Sequence, residues 1–261
     1  MLKYICKDII SDNELSEINN FIDYCTNIDN YTYDFQYESE PLTIPSIYFC
    51  YGNNKILGVL SICEYSIDTL CIYSLISPEF RNNHIFSNLF DILQKNLKTS
   101  DSPYKYLEFH LPCTDNNFFN PAIFLLNNYN FKFSHKEYLL SYSLYEDSHL
   151  KNKSNEIEVI YDDSIQEFTL WINDNCIGGC MIYSSEEDNS FATIYDYEIV
   201  SKYQGKGYGK LGLFLILKEL KYMNYKNVIL HVSGLNKKAH NLYISCGFNI
   251  SSLISVYIKK I

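Results

Sequence analysis

A glycine-rich segment joins an apolar, strand-like segment to an amphipathic, helix-like one: Tyr203-Gln204-Gly205-Lys206-Gly207-Tyr208-Gly209-Lys210. Glycines at such a junction let backbone N–H groups face outward without an obstructing side chain. The unpaired N–H groups of the first helical turn and the positive end of the helix dipole then form an anion site suited to a pyrophosphate. Lys206 and Lys210 add positive charge. A flexible glycine turn with solvated lysines is the alternative interpretation.

These glycines partly match two known phosphate-binding motifs, but the surrounding sequence fits neither motif. A P-loop requires Ser or Thr after its Gly-Lys pair, whereas leucine follows that pair here. The spacing of Gly207, Gly209 and Gly212 matches the dinucleotide fingerprint G-x-G-x-x-G. That fold also requires an acidic residue about 20 positions later, at the end of the next strand. No acidic residue lies around His231, so we set this interpretation aside.

Composition predicts a globular, acidic protein without a metal site. Among 261 residues, 21 Lys and Arg stand against 31 Asp and Glu, which gives a net charge of −10. This balance argues against nucleic acid or an anionic membrane as a partner and leaves room for a cationic substrate. Nine cysteines without a CxxC pair indicate reduced thiols rather than disulfides or zinc. With no secretory signal or apolar run of about 20 residues, we expect a cytoplasmic protein.

The chain carries the same pattern of predicted elements twice. In each half two short strands flank an asparagine-rich turn, Gly52-Asn53-Asn54 and then Asn173-Asp174-Asn175. A third strand, a polar turn, an amphipathic helix and a further strand follow. A short helix closes each half in related sequences, Ala122–Phe131 and Ala239–Phe248. Mixed order of this kind predicts an α/β (α+β) fold with two tandem mixed-sheet domains.

The boundary between the halves falls in a polar run without apolar periodicity, Glu146–Asn155. We therefore expect a first domain at 1–147 and a second at 155–261. The first domain opens with a helix that Ser11 and Glu14 mark with a capping box. The second passes almost directly into its hairpin, so its opening helices are missing.

Two motifs follow each other in the second half. The first is Gln204-x-x-Gly207-x-Gly209, and the second, after Asn236, is Ala239-x-x-Leu242-Tyr243-x-x-x-Gly247-Phe248. In this order they resemble the GNAT superfamily of acyl-CoA-dependent N-acetyltransferases, whose pyrophosphate signature is Gln or Arg-x-x-Gly-x-Gly or Ala. The resemblance covers roughly residues 157–261, and its strongest part lies between 192 and 250.

The resemblance implies a GNAT fold that binds acetyl-CoA as acyl donor and needs no metal. The pyrophosphate is expected on the backbone of Gly205, Lys206, Gly207, Tyr208, Gly209 and Lys210. The pantetheine arm is expected to pair like an extra strand with the backbone of Tyr197, Glu198 and Ile199, since a splayed strand exposes unpaired N–H and C=O groups. Asn236 lies where family members often contact the cofactor.

The chemistry implied is attack of an amine on a thioester. An alkylammonium with a pKa of about 10.4 must lose a proton, and the departing thiolate must gain one. Tyr243 occupies the family's general-acid position, with a packed helix tyrosine as the alternative. His231, in the strand before Asn236, matches a position that some members fill with glutamate, and histidine titrates near neutrality. A strand histidine satisfied in place is its alternative, and Asp196 and Glu198 are other candidates.

The first half repeats the predicted order of strands and helices but lacks the signature glycines and the general-acid tyrosine. Arg81-Asn82-Asn83-His84-Ile85-Phe86 lies where the signature is expected, and His84 and Phe86 replace both glycines. Their side chains would crowd the backbone approach that phosphate binding requires. Leu126 stands at the general-acid position. We expect a degenerate copy that binds no CoA, as in tandem-GNAT proteins. This copy, or a second subunit in a homodimer, is expected to supply the acceptor wall that the catalytic copy lacks.

These observations predict an enzyme that transfers an acetyl group from acetyl-CoA to a primary amine. The acidic composition favours a small or cationic acceptor, and a peptide acceptor is a further alternative. An interpretation from another class is a non-catalytic acyl-CoA-binding regulatory module built on two GNAT folds. Tyr243 beside an intact Gln204–Gly209 loop favours the enzyme.

Overall fold

The computed structural model describes residues 2–113, 120–145, 156–184 and 190–261. By contacts the chain divides into two compact units, Met1–Ser134 with Val256–Ile261 and then His135–Ser255. The predicted linker Glu146–Asn155 lies outside the described residues. Each unit has the mixed α/β character predicted from the sequence.

Five strands and three helices make up most of the first unit. They are β1 (Lys3–Lys7), α1 (Asp12–Asp29), β2 (Ile47–Gly52), β3 (Lys55–Ser66), β4 (Thr69–Ile76), α2 (Ile85–Thr99), β5 (Tyr106–Pro112) and α3 (Asn120–Asn128). The strands lie in the order β1-β2-β3-β4-β5, and only β4 and β5 pair in parallel. α1 packs on one face of the sheet, and α2 and α3 pack on the other.

Two local signals in this unit act as predicted. Asn53 and Asn54 both have positive φ, 50° and 60°, which is the backbone that a two-residue hairpin turn requires. At the start of α1, Ser11 Oγ accepts a hydrogen bond from the N–H of Glu14, and the Glu14 carboxylate accepts one from the N–H of Ser11. Short-range side-chain chemistry therefore sets both boundaries.

Among the described residues, seven strands and two helices lie wholly or mainly in the second unit. They are β6 (Lys132–Ser143), β7 (Glu158–Asp162), β8 (Glu167–Ile172), β9 (Asn175–Tyr183), β10 (Phe191–Ile199), α4 (Tyr208–Tyr222), β11 (Asn227–Ser233), α5 (Lys237–Ser245) and β12 (Asn249–Lys260). The strand order is β12-β6-β11-β10-β9-β8-β7, and β10 and β11 pair in parallel. Within 156–184 the chain passes from β7 to β8 through a turn without an intervening helix, as predicted.

β6 ends the first sequence repeat but belongs mainly to the second unit. Its residues Glu137–Ser143 pair antiparallel with β11, and Leu140 and Tyr142 enter the second unit's core. The domain limits predicted at 1–147 and 155–261 therefore differ from the compact units. The difference has a physical reason, because alternating apolar residues specify a strand without specifying the sheet it joins.

The end of β12 shows the reverse assignment. Residues Val256–Ile261 close the second repeat but belong to the first unit. There the N–H of Ile261 donates to the carbonyl of Lys105 over 2.8 Å, and Tyr257 joins the core around α2. β6 thus lies mainly in the second unit, whereas only the last residues of β12 lie in the first.

Both helices of the second unit pack on one face of its sheet. Leu213 and Leu217 of α4 share a core with Val228, Leu230 and Val232 of β11. Because side chains alternate along a strand, His231 points to the opposite face. That face carries exposed side chains among the described residues, including Met181, Tyr183, Tyr195 and His231.

Candidate active site

A gap opens between β10 and β11 in the second unit. Their parallel pairing joins Phe191–Ile194 to Asn227–Leu230 and ends there. Beyond it β10 continues to pair with β9, at Glu198 and Ile199, while β11 continues to pair with β6. The β10 edge that faces β11 therefore presents backbone N–H and C=O groups to the gap. An extended amide chain can pair with such an edge.

A β-bulge at Asp196 shapes this edge. The register with β9 shifts between Tyr195 and Glu198, and Asp196 has a φ of 50°. Asp196 and Glu198 are both exposed, but the bulge breaks the simple alternation that the sequence suggested for them.

Tyr197 anchors the bulged edge to α4. Its hydroxyl donates to the carbonyl of Gly209 over 2.6 Å, and burial raises the pKa of this phenol well above its ordinary value. Sequence reasoning assigned only the backbone of Tyr197 to the site and missed this bond. A Cβ at Gly212, in the next helical turn, would lie 2.4 Å from Leu170 Cδ1 and 2.9 Å from the Tyr197 hydroxyl, so glycine leaves room there for both side chains.

The glycine loop leaves its backbone open. Gly205 and Gly207 have φ values of 75° and 88°, and a Cβ at either would have no atom within 4 Å. Leu211 donates the first helical bond, to Gly207, so the N–H groups of Tyr208, Gly209 and Lys210 have no partner within the helix. The predicted anion site at the N-terminus of α4 is therefore sterically accessible.

Gln204 and the lysines serve this loop in different ways. The Gln204 side chain donates to the carbonyl of Ile199 over 2.7 Å and so fixes the loop to the end of β10. Lys202 and Lys206 lie 5.3 and 5.7 Å from the centre of the Tyr203 ring. Both ammonium groups are thus held beside the loop.

Lys210 and Asn236 have structural partners at the two ends of α5. The ammonium of Lys210 donates to the carbonyl of Ser245 over 2.8 Å, at the C-terminal end of the helix. The side-chain oxygen of Asn236 accepts from the N–H of Ala239 over 3.1 Å and caps the N-terminus. The contacts of both residues with the cofactor stay predictions. The bonds to α5 are additional structural roles.

Tyr243 lies on α5 in the core of the second unit and is 7% exposed. Its ring packs 5.8 Å from that of Phe248. Burial raises the pKa of Tyr243 to about 12, and Cys180 and Cys246 act in the same direction. Among the described residues no hydrogen bond forms to its hydroxyl, and the hydroxyl oxygen is not completely buried. Tyr243 therefore keeps its proton at neutral pH, and in the described part of the chain no group holds that proton in a hydrogen bond.

His231 is the first residue of β11 beyond the last pair with β10. It is exposed and points to the face opposite α4 and α5. The structure therefore places the two predicted catalytic residues on different faces of the sheet, with His231 at the start of the gap and Tyr243 on the helical side.

The first unit keeps the loop geometry without its glycines. Asn82 and His84 have positive φ, 64° and 59°, like Gly205 and Gly207. Arg81 Nε donates to the carbonyl of Ile76 over 3.3 Å, as Gln204 does to Ile199, but its guanidinium binds Asp29 of α1. The Phe86 ring stacks on Phe90. That this copy binds no CoA stays a prediction.

β9 and β10 approach closely at Gly178, which gives a stability prediction. A Cβ there would lie 2.1 Å from the carbonyl oxygen of Glu198 and 2.9 Å from Cα of Ile199. These are backbone atoms, so no side-chain rotation relieves the clash. We expect Gly178→Ala to lower the free energy of unfolding by about 3 kcal/mol in chemical denaturation. Gly205→Ala, which meets no atom, is the control. Equal losses in the two variants would contradict the close approach.

The described residues hold neither a metal-binding cluster nor a helix that could span a membrane. Among the described residues no group of three or more His, Cys, Asp or Glu side chains is placed to hold a metal ion. Within the same part of the chain, every helix is too short or too polar to cross a membrane.

Comparison with known proteins agrees with this geometry. The model of the acetyltransferase (GNAT) family matches residues 129–248. This match begins just before β6, so it follows the second unit more closely than the boundary predicted at residue 155. A relative in Bacillus subtilis (strain 168), named uncharacterized N-acetyltransferase YycN, is 29% identical over 89 residues. The aligned part is 33% of this chain and 57% of that relative, so the chain spans a little over half of the relative's length.

Two solved structures resemble the chain over nearly its whole length. A GCN5-related N-acetyltransferase from Sphaerobacter thermophilus has a TM-score of 0.73 at 10% identity, covering 98% of this chain and 95% of that one. A tandem GNAT protein from the clavulanic acid biosynthesis pathway has a TM-score of 0.66 at 11% identity, covering 100% and 98%. At such identities the likeness concerns the fold, and it confirms the predicted α/β GNAT fold. Residues 129–248 therefore match the acetyltransferase (GNAT) family, and the chain has the fold of GNAT proteins.

Proposed function

We propose that the second unit binds acetyl-CoA and transfers its acetyl group to a primary amine. The observation that carries the proposal is the coincidence of two features at one end of β10. The strand separates from β11 there, and the open backbone of Gly205–Gly207 begins the next helix. An extended pantetheine arm suits the first feature, and a pyrophosphate suits the second.

The proposed reaction uses one group on each face of the sheet. A base takes a proton from the ammonium, and the resulting amine attacks the thioester carbonyl. When the tetrahedral intermediate collapses, the C–S bond breaks and Tyr243 gives its proton to the departing thiolate. The nitrogen loses its second proton to solvent as the amide forms, and solvent returns a proton to the Tyr243 phenolate. We assign the base to His231, which stands at the start of the gap. The exposed carboxylates Asp196 and Glu198 are the alternative bases.

Side chains on the face opposite the helices favour a cationic acceptor. A cavity of about 640 Å³ lies there, and its lining includes Tyr183, Tyr195, Asp163 and Asp196. Carboxylates and aromatic rings both attract an ammonium group. Tyr195 follows the last residue of β10 that pairs with β11, as His231 does on β11. An amine bound in this cavity would therefore lie beside the gap that receives the thioester.

Charge reversal next to the loop tests the donor site. Lys206→Glu places a carboxylate beside the expected pyrophosphate, so we expect the dissociation constant for acetyl-CoA to rise about tenfold in calorimetric titration. Lys218→Glu, near the other end of α4, makes the same change in net charge and is the matched control. Equal affinities of the two variants would count against the assignment.

An acceptor panel separates the enzyme from the regulatory module. Release of CoA is measured by detecting its free thiol. The assay is run with polyamines, aminoglycosides, lysine derivatives and peptides with free amino groups as acceptors. We expect amine-dependent release with at least one cationic amine and an acetylated product by mass. Tight acetyl-CoA binding without transfer to any class of amine would favour the non-catalytic module.

A further inference from the structure

A row of polar side chains crosses three strands of the first unit. Cys63 of β3 lies directly opposite Cys71 of β4, and Cys71 is in register with Glu108 of β5. His110 follows two residues after Glu108 and therefore shares its face. Its Nε2 lies 3.2 Å from a carboxylate oxygen of Glu108. The proposed acetyl transfer uses none of these groups.

His110 joins the carboxylate to the thiol. It makes side-chain hydrogen bonds to both Cys71 and Glu108. Burial by itself would lower the pKa of His110, but the bonds to Cys71 and Glu108 outweigh it and raise the pKa to about 10. The imidazole is therefore protonated at neutral pH. A positive imidazolium bonded to a thiol stabilises the thiolate, which is the reactive form of cysteine.

Cys63 lies within bonding reach of Cys71. Directly opposed residues of an antiparallel pair have Cα atoms about 4.5–5.5 Å apart, and disulfides span about 4.4–6.8 Å. Cys71 is 1% exposed, whereas Cys63 is half-buried and the His110 side chain is 20% exposed. A small oxidant can thus approach along the His110 and Cys63 side of the row. Burial raises the pKa of Cys63 to about 12, so this residue stays a thiol.

We propose that Cys71 and Cys63 form a peroxide-reactive thiol pair in the first unit. The Cys71 thiolate attacks hydrogen peroxide, the O–O bond breaks, and His110 protonates the departing hydroxide to water. Cys71 is left as a sulfenic acid. The sulfur of Cys63 then attacks that of Cys71, the S–O bond breaks, and the hydroxyl leaves as water with the Cys63 proton. Two thiols lose two electrons in total, and one peroxide becomes two waters.

Peptide mapping of the full chain after treatment with hydrogen peroxide tests the pair. We expect a Cys63–Cys71 disulfide and a mass lower by two hydrogens. In Cys63→Ser, dimedone should capture Cys71 as the sulfenic acid. Cys176→Ser removes an exposed thiol outside the row and should form the disulfide as the wild type does. Oxidation of Cys6 and Cys176 while Cys63 and Cys71 stay thiols would overturn the proposal.

The rate of Cys71 alkylation tests the activating role of His110. His110→Gln removes the positive charge beside the thiol, so we expect the rate to fall about tenfold. The difference between wild type and variant should shrink above about pH 10, where His110 loses its proton. Other titratable groups beside the row are Tyr73 of β4, Glu38 from the segment after α1, and Tyr65, whose ring packs 5.5 Å from that of His110. An unchanged rate and pH profile would contradict the role of His110.

Discussion

Replacing Tyr243 by phenylalanine is expected to lower kcat for acetyl transfer about 100-fold and to leave acetyl-CoA affinity unchanged. General-acid groups contribute on this scale. The hydroxyl makes no hydrogen bond among the described residues, so its removal should cost little stability. Because burial raises the pKa of Tyr243 to about 12, the wild-type rate should not fall near pH 10, where an ordinary tyrosine loses its proton.

Steady-state kinetics on purified variants, with binding measured by calorimetry, give the test. Tyr222→Phe removes a hydroxyl from an exposed tyrosine at the end of α4 and is the matched control. A wild-type kcat in Tyr243→Phe would mean that water or another group protonates the thiolate. A loss of cooperative unfolding in the variant would assign Tyr243 a packing role instead.

Removal of β6 is expected to prevent folding of the second unit. A fragment of residues 155–261 follows the predicted boundary but lacks Leu140, Tyr142 and Leu144, which are 0%, 4% and 2% exposed. Losing one large core side chain costs about 2–5 kcal/mol, and a whole domain is stable by about 5–15 kcal/mol. The fragment also leaves the edge of β11 unpaired.

Thermal unfolding followed by circular dichroism compares this fragment with one of residues 129–261, which keeps β6. We expect a cooperative transition in the longer fragment and none in the shorter. A cooperative transition in 155–261 would show that β6 is dispensable for the second unit and would favour the boundary predicted from the sequence.

The sequence predicted those features of the fold that depend on short-range chemistry. Asn53 and Asn54 signalled a hairpin because asparagine tolerates positive φ, and Ser11 with Glu14 signalled a helix start because each satisfies the other's N–H. The sheet that β6 joins was not predictable. Leu140 and Tyr142 alternate with polar neighbours, which specifies a strand with one buried face but not its partner.

The candidate site likewise has parts that the sequence predicts and parts that it does not. Gly205 and Gly207 were identifiable because an open backbone before a helix has a recognisable pattern. The bond from Tyr197 to Gly209 depends on a bulge at Asp196, and no local sequence pattern predicted that bulge. The row that links Cys71 to Glu108 and His110 depends on the register of β4 against β5, and that register follows from the packed sheet.

Titration of acetyl-CoA into the full chain by calorimetry tests the central claim most directly, in the wild type, Gly207→Asn and Gly207→Asp. Asn and Asp have nearly the same shape and both tolerate positive φ, but only Asp places a negative charge where the pyrophosphate is expected. We predict one site per chain in the wild type, weaker binding in Gly207→Asn and none in Gly207→Asp. Equal affinities of the two variants would contradict the assignment of the cofactor to the N-terminus of α4, and two sites per chain would contradict the expectation that the first half binds no CoA.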